Sequence, residues 1–91
     1  MKVELIAELV FNADVGIRIN NFIKTLIDES LKEAGCLKYE AFRKGDSIII
    51  VEAWVDDESL EQHKKRKHFT NFVNFIESND VVLSISSVSS I

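Results

Sequence analysis

Apolar and polar side chains alternate along residues 3 to 11, with Val3, Leu5, Ala7, Leu9 and Phe11 on one face and Glu4, Ile6, Glu8 and Val10 on the other. A period of two marks a half-buried strand, so this segment predicts the first strand. The period then lengthens: Ile19, Phe22, Ile23, Leu26, Ile27, Leu31 and Ala34 recur at helical spacing, while Lys24, Asp28, Glu29, Lys32 and Glu33 fill the outer face. Asp14 reads as the N-cap of this helix, and Gly35 as the left-handed residue that stops it. Residues 36 to 43 predict a second strand, Lys44-Gly45-Asp46 a tight hairpin connection, and residues 47 to 55 a third strand. A short helix starts at Asp56, with Asp57 and Glu58 in its first turn and Lys64 and Lys65 near its end, both signs matching the helix dipole. The stripe Phe69, Phe72, Val73 and Ile76 predicts another helix from about Lys67 to Ser78, ended by Asn79-Asp80. Residues 81 to 89 alternate again as a fourth strand.

The resulting order is β-α-β-β-α-β, with the second helical region split in two. It belongs to the α+β class: helices on one face of an antiparallel sheet, in a single domain over residues 1 to 91. Such a sheet leaves its other face bare. The third strand carries four consecutive apolar residues, Ile48, Ile49, Ile50 and Val51, so it is apolar on both faces. Either Ile48, Ile50 and Trp54 or Ile49, Val51, Ala53 and Val55 must point to the bare side. An uncovered apolar patch of several hundred Å² is unusual on a monomer, which predicts a homodimer packed sheet to sheet.

Composition narrows the partners. The chain has 91 residues, 11 basic and 15 acidic, for a formal net charge of −4. It holds one cysteine, Cys36, so no internal disulfide can form, and a reducing, cytoplasmic location is expected. Glu4 and Glu8 interrupt the only early apolar run, which argues against a signal peptide, and no stretch reaches the roughly 18 apolar residues that cross a membrane. The basic run Lys64, Lys65, Arg66 and Lys67 reads as a solvated turn, or alternatively as an anion-steering rim beside a pocket. One basic cluster on an acidic body does not make a nucleic-acid surface. An RNA-recognition motif shares the element order but needs stacking aromatics on its third strand, and here that strand reads SIIIVEAW.

Few side chains can move protons near neutral pH. His63 follows Leu60 by three residues and His68 precedes Phe72 by four, so both lean toward the apolar side of their helices. Each reads either as a hydrogen-bonded structural histidine or as a site residue above the strand that carries Trp54. Glu52, mid-strand, needs a partner if buried: a tyrosine, a lysine or the dimer mate. Tyr39 and Trp54 each offer a large apolar body with one donor, suited to core packing or to holding a ring-shaped ligand. His63 and His68 are five apart across the helix break, not at the i, i+4 spacing of paired metal ligands, so no metal site is expected. No glycine-rich nucleotide loop and no serine nucleophile elbow is present.

Four short motifs carry a family resemblance. Glu33-Ala34-Gly35-Cys36-Leu37-Lys38-Tyr39 resembles the E-x-G-C-x-x-Y turn of the antibiotic biosynthesis monooxygenase domain family, and Glu52-Ala53-Trp54 its E-x-W strand. Leu60-Glu61-Gln62-His63 resembles its L-x-x-H, and His68-Phe69 the H-F five residues on. The resemblance implies a ferredoxin-like fold dimerised into an α/β barrel, with a cleft between sheet and helices lined by Trp54 and His63. Haem-degrading relatives place a histidine ligand where this chain has Phe72, and an asparagine where it has Leu9, so haem degradation is not implied. Many relatives carry a small residue midway between the two histidines, where this chain has Arg66.

The expectation is a cofactor-independent monooxygenase acting on a small phenol or quinol, with His63 as the base. Trp54, Tyr39, His68, Leu9, Glu52 and Phe72 would contact the substrate. The scheme calls for neither flavin nor metal. The alternatives are an isomerase of a small phosphorylated dione, with residues 64 to 67 attracting phosphate, and a non-catalytic dimeric ligand-binding module.

Overall fold

A computed structural model describes residues 1–91. The elements run β1 (Val3–Val10), α1 (Ala13–Ser30), β2 (Cys36–Lys44), β3 (Ser47–Trp54), α2 (Asp57–Lys64), α3 (Lys67–Ser78) and β4 (Val82–Val88). The strands form one four-stranded sheet in the order β2-β3-β1-β4, every neighbouring pair antiparallel. This is the ferredoxin-like β-α-β-β-α-β arrangement, with the second helical region split as its sequence predicts.

Burial decides the two faces of β3. Ile48, Ile50 and Trp54 are sealed against the helices, together with Ala7 and Leu9 of β1. From above them come Val15, Ile19, Ile23 and Leu26 of α1, Leu60 of α2, and Phe72 and Ile76 of α3. Phe22 of α1 stacks on Phe75 of α3 at 4.1 Å between ring centres, which closes the seam between the two long helices. The outer face therefore carries Ile49 and Val51, flanked in register by Glu8 and Ile6 of β1 and by Phe42 and Glu40 of β2. Val10, Phe42, Val82 and Val88 on that face are exposed. Every residue of β4 is exposed on both faces. No helix is long and apolar enough to cross a membrane.

Two helix ends differ from the sequence pattern. Asn12, not Asp14, holds the N-cap position of α1, and Asp14 lies in the first turn. The helix ends at Ser30 with Leu31 as C-cap, well before Gly35. Gly35 does take a left-handed φ of +85°, but it launches β2 instead of capping α1. The apolar periodicity through Leu31 and Ala34 runs past the helix although both residues are exposed, so their spacing does not report a buried face.

Candidate active site

The turn from Leu31 to Gly35 sets Glu33. Cys36 N–H donates to the Glu33 carbonyl at 3.2 Å and Val55 N–H to the Gly35 carbonyl at 2.8 Å, which ties the turn to the end of β3. Gly35 lies against Ser59 and Val55, where a Cβ would collide with the Ser59 side chain. The turn therefore seats directly on the first turn of α2. That helix is started by Asp56, whose carboxylate accepts the Ser59 N–H at 2.8 Å. This bond holds the Asp56 carboxyl below the usual aspartate range.

The break between α2 and α3 turns the chain at Arg66, whose backbone is extended at φ −74° and ψ 149°. That corner points His63, at the end of α2, and His68, in the first turn of α3, at the same acceptor. His63 Nδ1 and His68 Nε2 each lie 2.7 Å from Glu33 Oε2. An ionised carboxylate only accepts, so both ring nitrogens donate. The other oxygen, Oε1, is 3.6 Å from Arg66 Nε. The five-residue spacing that seemed to separate the histidines is thus bridged by an extended corner, which an i, i+4 rule for one continuous helix does not cover.

His63 is completely buried, and its Nε2 has no hydrogen-bond partner. Its ring is walled by Trp54 at 4.5 Å, Phe69 at 5.0 Å and Tyr39 at 5.5 Å between centres. Beneath it, Trp54 Nε1–H donates to Glu52 Oε1 at 2.8 Å, so the buried Glu52 finds its partner two residues along its own strand. Tyr39 stands opposite Glu52 in the β2–β3 register. Burial, and then the Glu52 charge, push the Tyr39 phenol well above the usual tyrosine range, so it stays a neutral donor. Burial and the Glu33 charge likewise raise the Cys36 thiol.

The structure thus gathers His63, His68, Tyr39, Trp54 and Glu52 into one cluster. Leu9 and Phe72 sit in the hydrophobic core. Two open grooves flank His68. One, of about 200 Å³, lies between α1 and α3 and is lined by Asn21, Phe22, Thr25 and Asn71. The other, of about 360 Å³, is lined by Glu29, Lys32, Glu33, Ala34, Arg66 and Lys67. Neither groove is lined by His63 or Trp54. Glu33 is the residue to which sequence reasoning assigned no role. Its signal was its place as the first residue of the E-x-G-C-x-x-Y motif, two residues before the glycine.

The three ligand atoms of Glu33, His63 and His68 lie within 4.8 Å of one another. The arrangement suits a hydrogen-bonded network better than a metal. Each ring nitrogen stands 2.7 Å from the one carboxylate oxygen, a direct hydrogen-bond distance. The Arg66 guanidinium already offers a positive charge to the other carboxylate oxygen, at 3.6 Å.

A family model described as antibiotic biosynthesis monooxygenase matches residues 12–74. Among solved structures, Rv0793 from Mycobacterium tuberculosis superposes with a TM-score of 0.92 at 16% identity, covering 100% of this chain and 96% of that one. A conserved protein of unknown function from Bacteroides thetaiotaomicron, suggested to be an oxidoreductase, reaches 0.88 at 27% identity, covering 96% of this chain and 95% of that one. A candidate antibiotic biosynthesis monooxygenase from Deinococcus radiodurans gives 0.88 at 17% identity, over 98% and 92%. No curated protein matches the chain significantly.

Proposed function

The chain belongs to the antibiotic biosynthesis monooxygenase family, and from that premise we propose that it oxidises a small phenol or quinol with dioxygen, without a bound cofactor and with His63 as the base. One observation carries this reading. The Glu33 carboxylate fixes the hydrogen of His63 on Nδ1, which leaves Nε2 a lone-pair base with no partner among aromatic walls. Such a nitrogen takes the hydroxyl proton of a ring stacked beside it. The phenolate is electron-rich enough to pass an electron to dioxygen; one oxygen atom then joins the ring as a carbonyl and the other leaves as water. Trp54 and Tyr39 orient the ring, with Glu52 holding the indole in place.

The packing around His63 is closed, so substrate entry requires the α2–α3 corner to move away from β2 and β3. Glu33 ties that corner down through His63, Arg66 and His68. The chain acts as a homodimer in this reading, its partner covering the outer sheet face around Ile49, Val51 and Phe42.

The test is oxygen uptake with a panel of quinols and polycyclic phenols. His63→Ala is expected to lower kcat by about 10²–10⁴-fold, the usual contribution of a positioned base. Unchanged oxidation in that variant overturns the assignment.

The same closed packing favours a second reading, a dimeric module that binds a small ligand in the grooves beside His68 without chemistry. Ligand binding with no oxygen uptake on any phenol separates it from the first. Isomerisation of a phosphorylated dione ranks behind both. Of the run 64 to 67 that would attract phosphate, Lys64 is paired with Glu61 and Arg66 with Glu33.

A further inference from the structure

A single oxygen, Glu33 Oε2, accepts from both imidazoles. The two rings are 5.8 Å apart between centres but differ in access to water. The His63 side chain is 1% exposed and that of His68 13%, and His68 borders both open grooves. The buried polar atoms left without partners are Ser30 Oγ and His63 Nε2, so the unbonded His68 Nδ1 reaches solvent. One ring nitrogen thus faces the proposed reaction site and another faces water, with a carboxylate between them.

A carboxylate balances one positive charge. The triplet is neutral when either imidazole is protonated, and protonating both sets two cations against each other across one anion. The surroundings keep this balance. Arg66 stays charged at any working pH, and Lys32 is paired with Glu29. Lys67 lies on the solvent side of the groove. On the strand side, Tyr39 and Cys36 remain protonated, and Glu52 is held by Trp54.

We propose that Glu33 couples the two histidines into a one-proton exchanger: His63 Nε2 accepts a proton from the substrate as His68 releases one from Nδ1 to water. The inference rests on His63 being the base, and it assigns Glu33 and His68 as positioning residues for that base. The substrate O–H bond breaks and an Nε2–H bond forms, while an Nδ1–H bond of His68 breaks and the proton passes to water. Both N–H···Oε2 bonds persist, Glu33 stays ionised, and the net charge of the triplet does not change. After the exchange the triplet is neutral as before, an imidazolium stands beside the phenolate, and site and substrate together carry one negative charge.

The test follows the imidazole resonances of histidine-labelled protein with pH, in the wild type and in His68→Gln, beside the pH profile of kcat for quinol oxidation. In the wild type both rings are expected to move in two shared steps. In His68→Gln, His63 is expected to follow one step, and the profile to move with it by about one pH unit. Two rings that each follow a separate single step overturn the exchanger, as does a His63 response unchanged in His68→Gln. Shared steps in a protein that oxidises no phenol or quinol overturn the oxidation reading and leave the coupling of the imidazoles standing.

Discussion

His63 Nδ1 lies 2.7 Å from Glu33 Oε2, and the side chains that make this bond are 1% and 6% exposed. A donor and an acceptor so well sealed from water depend on each other: removing one leaves the other buried and unpaired. Glu33→Ala strands the Nδ1–H of His63 and releases His68 as well. It is expected to lower stability by about 2–4 kcal/mol in urea unfolding. Glu33→Gln keeps one acceptor oxygen and should lose less. Equal losses in the two variants would mean that the carboxylate charge, and not an acceptor oxygen, matters at this position.

Gly35 gives an independent check on how Glu33 is placed. At φ +85° a side chain is strained, and a Cβ would also meet Ser59 and Val55. Gly35→Ala therefore combines backbone strain with overpacking against α2, and about 2–4 kcal/mol of destabilisation is expected in the same unfolding assay. Gly45, also at positive φ, has nothing within reach of a Cβ, so Gly45→Ala carries only the strain. A larger loss at Gly45 than at Gly35 would count against the seating of the turn on α2.

Most of the fold was legible in the sequence because the pattern was strong wherever an element had one buried face. The span of α3, Lys67–Ser78, and the hairpin at Gly45 followed from periodicity and turn chemistry. The pattern could not tell which face of β3 is covered, since Ile48 to Val51 is apolar throughout; the choice depends on how β1 and the helices pack. Among the candidate site residues, His63 and Trp54 were visible as polar-tipped groups at inward positions. The partnership of His63 with His68 was not, because it depends on the extended backbone at Arg66. Glu33 looked like one more acid on a solvated helix face, and only the turn after Ser30 brings it inward.

The outer sheet face makes a prediction about assembly. Ile49 and Val51 lie at its centre, with Val10, Phe42, Val82 and Val88 exposed around them. A patch of that kind is stable in water when a second copy covers it. Val51→Lys places a charge at the middle of the proposed interface and is expected to weaken self-association by about 10²-fold or more in sedimentation equilibrium. Circular dichroism should stay unchanged, since the Val51 side chain faces away from the helices. A wild-type chain that sediments as a monomer at micromolar concentration would remove the partner from the proposal.

Asp56 supplies a pH dependence whose sign can be worked out. Its carboxylate accepts the Ser59 N–H, and this bond holds the folded-state carboxyl below the ordinary aspartate range. A group depressed in this way contributes stability that is fully present above the ordinary range and is lost as pH falls through the lowered value. Nothing should change between neutral pH and about pH 5. Below that, amide protection in the first turn of α2 is expected to fall as Asp56 takes up its proton. Asp56→Asn keeps a capping oxygen that does not titrate, so α2 protection should stay near the wild-type level at neutral pH while this acid-linked loss disappears. Asp56→Ala should lose the protection at every pH. Because α2 carries His63, fraying of its first turn also loosens the seat of Gly35 and with it Glu33. The acid-linked loss should therefore appear at the His63 ring resonances as well as at the Ser59 amide. An amide at Ser59 that stays protected in Asp56→Ala would show that packing of the turn, and not the cap, holds this end of the helix.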